Sequence, residues 1–428
     1  MKAIQITAPS EMKVVDIEKP ALKPGEVLVK IKYVGFCGSD LNTFLGRNPM
    51  VKLPVIPGHE VGAIIEAIGK DVPESLKPGM SVTVNPYTNC GKCASCRNGR
   101  VNACEHNETL GVQRNGAMCE YIALPWNKII PASHISPRDC ALIEPMSVGF
   151  HAVSRAQVTD IDTVMIIGCG MIGMGAIVRS TLRGATVIAV DLDDEKLELA
   201  KRVGAHHTIN SMTENVHERL TKITEGFGPD VVIEAVGSPA TYVMAVNEVG
   251  FTGRVVCIGY AKSEVSFQTK YFVQKELDIR GSRNALPADF RAVIRYMEQG
   301  TCPKDELISK VAKPETALQA MEEWGKAPLF TNAAWEIIPY RSSSRCRSCP
   351  CRCRWPPADP GWTDSPESQS PAPDRWFSAG TGPAPWRRRR IPRYAAAPRP
   401  PPAPGWFAGP AVPCRSCCGR NSGTCSRT

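Results

Sequence analysis

No run of eighteen or more apolar residues occurs in the 428-residue chain, so no segment is long enough to cross a bilayer as a helix. Met1-Lys2-Ala3-Ile4 lacks the basic-then-apolar pattern of a secretion leader and reads as the start of a strand. A net positive charge is also missing from most of the chain. The total is +9, but residues 341–428 hold 15 Arg, no Lys and 4 acidic residues, a net +11, leaving 36 basic and 38 acidic residues, a net −2, for residues 1–340. That removes the electrostatic case for a nucleic-acid partner of the body. Ile, Leu and Val are nearly absent from the last 88 residues, which carry 17 Pro. Such a segment buries too little apolar surface to offset its ordering entropy, and a disordered tail is expected over 341–428. Loss of every Lys amid abundant Arg points to GC-rich DNA read in a foreign frame, or to a fused fragment. The tail cysteines (Cys346, Cys349, Cys351, Cys353, Cys414, Cys417, Cys418, Cys425) and the run Arg387–Arg390 have no surrounding pattern of strand, helix or interleaved aromatics to support a site.

What is present suggests two folded domains, the usual outcome at this length. Residues 1–150 carry short β-rich runs, Val27–Val34, Gly62–Ile68 and Ser81–Val84, separated by turns such as Lys23-Pro24-Gly25 and Lys77-Pro78-Gly79. Strands and helices then alternate, which indicates an α/β domain with a parallel sheet over residues 151–287. Its elements are strand Thr163–Ile167, helix Ile172–Leu182, strand Thr186–Val190, helix Asp194–Val203, and strands Val231–Ala235 and Arg254–Ile258. Helices Ala288–Glu298 and Glu315–Trp324 are expected to return the chain to the first domain over 288–340, with Trp335-Glu336-Ile337-Ile338 as a last strand. Ten of the 18 cysteines precede residue 341, four of them at metal-ligand spacing and most others single in apolar surroundings. That usage fits a reducing cytoplasm.

Gly168-Cys169-Gly170-Met171-Ile172-Gly173 has GxGxxG spacing between an apolar strand and a helix, the context a dinucleotide loop requires. Gly168 permits the tight turn, Gly170 lets backbone approach a pyrophosphate, and Gly173 allows close helix–strand packing. Asp191, 18 residues beyond Gly173, ends the next strand, and no Arg follows it directly. A carboxylate there accepts from ribose hydroxyls and repels a 2′-phosphate, which predicts NAD over NADP.

Cys90, Cys93, Cys96 and Cys104 have CxxCxxC-x7-C spacing, suited to a closed four-thiolate zinc shell of structural type. An iron–sulfur cluster is the competing reading, although its usual proline after the last cysteine is replaced by Glu105. Catalytic zinc needs about three protein ligands and one open position. Cys37 in Gly35-Phe36-Cys37-Gly38-Ser39-Asp40 and His59 in Pro57-Gly58-His59-Glu60 suit it, with Glu60 or Glu144 as the third.

Those motifs, with PVIPGHEVGAIIEAIG, ALIEPMSVGFHAV and GCGMIG in the same order, resemble the zinc-dependent medium-chain alcohol dehydrogenases over about residues 1–335. Ile143-Glu144-Pro145 resembles the sorbitol dehydrogenase branch, and VNPYTNC and GSRNALPADF resemble enzymes of the L-galactonate 5-dehydrogenase kind. The resemblance implies a GroES-like catalytic domain, a Rossmann doubly wound sheet, one catalytic and one structural Zn2+, and NAD. It implies that Cys37, His59 and Glu60 bind the catalytic zinc. Glu144 would be a fourth ligand or hold the water there, and Ser39 would relay the proton. Asn42 stands where many relatives carry His, which leaves the outer relay to water or a ribose hydroxyl. Arg283 could meet a substrate carboxylate or hydroxyls, or be a plain interface arginine. The implied reaction oxidises a secondary alcohol of a polyol or sugar acid, a small-molecule substrate, in a homodimer or homotetramer. L-threonine 3-dehydrogenase is the alternative within enzymes; a noncatalytic metabolite sensor is the alternative outside them.

Overall fold

The computed structural model describes residues 1–326 and the backbone of residues 333–336; the tail calls over 341–428 lie outside the described residues. In chain order the elements are β1 (Lys2–Ala8), β2 (Glu11–Asp16), β3 (Glu26–Gly35), α1 (Gly38–Phe44), β4 (Glu60–Ile68), β5 (Ser81–Val84), α2 (Ala94–Arg97), β6 (Tyr121–Pro125), β7 (Ile129–Pro131), α3 (Pro137–Cys140) and α4 (Ile143–Ala156). Then come β8 (Thr163–Ile167), α5 (Met171–Thr181), β9 (Thr186–Asp191), α6 (Asp194–Arg202), β10 (His207–Asn210), α7 (Val216–Ile223), β11 (Val231–Glu234), α8 (Pro239–Glu248), β12 (Arg254–Cys257), α9 (Lys270–Gln274) and β13 (Asp278–Gly281). Last are α10 (Pro287–Glu298), α11 (Lys304–Leu307), β14 (Lys310–Ala312), α12 (Ala317–Lys326) and β15 (Ala333–Glu336).

The ten-residue β3 is the spine of the first large sheet, ordered β14-β15-β3-β4-β5-β7 with β6 also on β3. Apolar residues alternate in it with half-buried Lys30 and Lys32, and Val27, Val29, Ile31 and Val34 are buried with Val61, Ala63 and Ile65 of β4. β4 runs antiparallel along nearly all of β3, from Val27 opposite Ile68 to Gly35 opposite Glu60. β6 takes the stretch Glu26–Lys30 of β3, and β15 takes Tyr33–Gly35.

The second large sheet is wholly parallel, ordered β10-β9-β8-β11-β12-β13. Counted from β8, this is the 3-2-1-4-5-6 order of the doubly wound dinucleotide fold, with its switch point between β8 and β11. Alternation along β8 divides two cores: Val164 and Ile166 join helices α4, α5 and α10, while Met165 and Ile167 join α7 and α8. Helix ends follow local chemistry. Asp193 caps α6, its Oδ1 accepting from the N–H groups of Glu195 at 2.8 Å and Lys196 at 3.2 Å. Pro145 sits in the first turn of α4, where its missing N–H costs nothing. The return to the first core, expected from residue 288, is later in the packing. Phe290, Val293 and Met297 of α10 still belong to the parallel-sheet core, and residues from Ala312 onward join the core of β3 and β4. No helix among the described residues is long and apolar enough to cross a membrane.

Candidate functional site

Because Gly35 lies opposite Glu60, the chain leaving β3 and the chain entering β4 run side by side. Cys37 and the pair His59-Glu60 therefore meet, with one ligand atom of each within 4.8 Å of the other two. Asp40 ties the two segments together. Its Oδ2 accepts the Cys37 N–H at 3.0 Å as part of a capping box at the start of α1, and its Oδ1 accepts the Gly58 N–H at 3.3 Å. The sequence signal for this role is an acid at the third position of a helix that opens after the candidate ligand Cys37. Gly35 is needed for space, since a Cβ there would collide with Oε2 of Glu60.

Charge in this cluster is poorly balanced. Burial raises the Glu60 carboxyl well above its ordinary range, with Cys37 and Glu144 adding to the effect. Burial alone would lower His59, but the Cys37 sulfur, then Asp40 and Glu144, hold it well above its ordinary value. Glu144 opens α4 and is itself raised by burial. It lies outside the triplet, and its Oε1 accepts a short hydrogen bond from the Tyr87 hydroxyl, a partner the sequence reading did not single out. Among the described residues, His59 Nδ1, Glu60 Oε2 and Ser39 Oγ are buried without hydrogen-bond partners. Sulfur, imidazole and carboxylate donors around an excess of acidic groups fit a zinc ion.

The second cluster is local. Cys90, Cys93, Cys96 and Cys104 each place a sulfur within 4.8 Å of the others. Backbone N–H groups point inward, Cys90 to the Cys104 sulfur at 3.3 Å and Cys93 to the Cys90 sulfur at 3.4 Å. The Ser95 hydroxyl, then the N–H groups of Cys96 and Glu105, pull the Cys93 thiol down to about 5. Burial and the neighbouring Cys93 and Cys104 sulfurs push Cys96 up to about 11. Four crowded sulfurs that cannot all ionise alone again fit a divalent cation. No disulfide links the ten cysteines of the described residues.

Beyond the end of β8, Gly168 has φ +94, which favours glycine, and Gly170 caps α5. A Cβ on Gly173 would strike the Gly168 carbonyl, whereas one on Gly170 would meet nothing within 4 Å. The turn is thus closed on its packing side and open where backbone N–H groups of Met171 and Ile172 begin the helix. Asp191 reaches across from β9, its Oδ2 accepting the Cys169 N–H at 2.6 Å and its Oδ1 the Leu192 N–H at 2.7 Å.

Residues 23–134 match the family described as Alcohol dehydrogenase GroES-like domain, and residues 172–299 match Zinc-binding dehydrogenase. L-galactonate-5-dehydrogenase of Escherichia coli (strain K12) is 34% identical over 309 residues, 72% of this chain and 91% of that protein. This chain belongs to the zinc-binding alcohol dehydrogenases. Sorbitol dehydrogenase of Bacillus subtilis (strain 168) is 33% identical over 351 residues, 79% of this chain and 97% of that one. An alcohol dehydrogenase of Escherichia coli CFT073, solved in complex with NADH, superposes with a TM-score of 0.72 at 29% identity, covering 79% of this chain and 99% of that one.

Two further residues of this zinc-binding dehydrogenase sit where its domains touch. Asn42 on α1 accepts from Lys262 Nζ at 3.1 Å and donates to the Gly38 carbonyl at 2.9 Å. The Arg283 carbonyl accepts from Asn102 Nδ2 at 2.7 Å, which fastens its loop to the four-cysteine segment. No hydrogen bond or ion pair among the described residues joins Arg283 to the Cys37 cluster.

Proposed function

We propose that this dehydrogenase oxidises a secondary alcohol of a polyol or sugar acid and passes the hydride to NAD. The observation that carries the reading is the convergence of Cys37, His59 and Glu60, with unpartnered buried donor atoms on His59 and Glu60 and an unpartnered Ser39 hydroxyl on the adjoining helix. Cys37, His59 and Glu60 would hold the catalytic zinc, and the four cysteines the structural one. When bound, zinc supplies Lewis acidity that eases loss of the alcohol proton, and NAD supplies the hydride acceptor. Ser39 relays that proton, accepting it at Oγ while its own hydroxyl proton passes outward to water or a ribose hydroxyl; the oxygen has no competing hydrogen bond among the described residues. Asp40 orients the backbone on either side of the ligands. Tyr87 holds the Glu144 carboxylate by its hydroxyl and so orders the wall of the site.

Support for the substrate class comes from relatives named for L-galactonate and sorbitol. NAD is favoured by the Asp191 carboxylate at the end of β9, which opposes a second phosphate on the ribose. Unbridged cysteines fit a cytoplasmic enzyme, and β13, an outer strand of the parallel sheet with Ile279 exposed, offers an edge for a homodimer or homotetramer. The test follows NADH absorbance with a panel of polyols, aldonates and threonine, with and without chelator. Chelator-sensitive NADH formation with a polyol or aldonate is expected. NADH from none of them, or from threonine alone, would defeat the reading.

A further inference from the structure

A cavity of about 350 Å³ is lined by Arg100, Ser154, Arg155, Gln157 and Arg280. The three guanidinium groups come from three parts of the fold. Arg100 lies within the four-cysteine segment, Arg155 in the last turn of α4, and Arg280 on β13. Glu144 is in the first turn of that same helix, so at ~1.5 Å rise per residue the cavity sits roughly 16 Å along α4 from the catalytic end. It is a separate place.

Arginine at a helix C-terminus has an ordinary explanation, because the last carbonyls attract positive charge. That accounts for two neighbours. Arg254 donates to the carbonyls of Ala156 and Gln157 at 3.0 Å each and pairs with Asp162. Arg280 donates to the Arg155 carbonyl at 3.0 Å and to Gln157 Oε1 at 2.8 Å, and pairs with Asp278 at 2.8 Å. It leaves Arg100 unexplained, and it places Arg155 in the last turn of α4 without giving it an acid to pair with. Arg155 donates Nε to the Gly281 carbonyl at 3.2 Å but has no acidic partner among the described residues. Arg100 makes no side-chain hydrogen bond or ion pair among them. Three positive charges around one cavity are thus met by the single carboxylate of Asp278. Burial, then the charges of Arg100 and Arg280, lower Arg155 from its ordinary value, and no acid offsets them.

We infer that this cavity binds a small phosphate-bearing anion, gripped by Arg100 and Arg155 against Arg280. Planar guanidinium groups match phosphate oxygens two at a time, and the volume is at the small end of the range for ligand sites. An anion there joins the four-cysteine segment, α4 and β13, and so stabilises the folded protein.

The test uses the full-length, zinc-loaded protein saturated with NADH, so that the dinucleotide loop is filled. Melting temperature is recorded against inorganic phosphate and, separately, phenyl phosphate, with ionic strength held constant by sodium chloride. A saturable rise is expected with one or both, and the tighter binder tells free phosphate from a phosphate monoester. Arg100→Gln should weaken that binding about ten-fold or more, the usual effect of losing one charged hydrogen bond. Without phosphate the same variant should melt no lower than the unsubstituted protein, because it removes repulsion; an arginine of purely structural role would melt lower. Phosphate held by the Arg387–Arg390 run would survive the substitution. A rise that does not saturate, or an affinity unchanged in Arg100→Gln, overturns the inference.

Discussion

The four-cysteine segment takes all its donors from residues 90–104, whereas the Cys37 cluster draws on the segment that follows β3 and the segment that enters β4, 22 or more positions apart. In the first, short turns aim backbone N–H groups at sulfur, and little beyond the segment is needed. In the second, the donors meet only because β3 and β4 keep register and Asp40 bridges the two chain segments. A site made by local turns can fail alone, while a site made by register fails when its frame is disturbed. The two should therefore respond differently to substitution.

Cys37→Ser should be the most severe change. Losing several kcal/mol of charge stabilisation corresponds to a fall in kcat/KM of about 10³-fold, and elemental analysis should show the zinc content halved with the cysteine segment still loaded. Full activity in this variant would break the contrast at its centre. Gly35→Ala replaces no proposed ligand, yet its Cβ collides with the Glu60 carboxylate and forces the strand pair or that carboxylate to shift. Overpacking of this kind costs about 1–3 kcal/mol, so a drop of roughly ten- to a hundred-fold in turnover is expected, again with the four-cysteine zinc retained. Tyr87→Phe removes the hydroxyl that Glu144 accepts and should lower kcat by about ten-fold or less, in line with one charged hydrogen bond. Cys104→Ala should affect turnover least, within about three-fold per folded molecule, while lowering the melting temperature and abolishing one zinc, because structural zinc contributes chiefly to folding. A loss of turnover as deep as that of Cys37→Ser would erase the distinction.

The same contrast explains what could be read from the residues alone. The buried run of β8, the glycine turn after it and the acid ending β9 are consecutive features whose meaning is local, and the doubly wound sheet they announce is the one found. The strand His207–Asn210 and the helices Val216–Ile223 and Pro239–Glu248 were not anticipated. The strand is short and mixed in polarity, and α7 buries only Val216 and Leu220, so neither shows a strong period. Within the site, spacing pointed to the cysteines and to His59 and Glu60. It could not point to Gly35 or Tyr87, whose roles are contacts with residues 25 and 57 positions away. Arg283 adds a contact of another kind: its backbone carbonyl accepts from Asn102, which no side-chain pattern in the sequence signals.

The pairing of β15 with Tyr33–Gly35 bears on the order in which the molecule can be completed. As the ribosome releases the chain, the strand leading to Cys37 emerges early, but the neighbour that seals its free edge is made about 300 residues later. Until then Cys37 sits beside an unzipped border that any passing strand could occupy. Maturation of the candidate site is thus tied to the last portion of the described fold, and a messenger cut short before that point would yield a chain with every candidate zinc ligand yet no finished cradle.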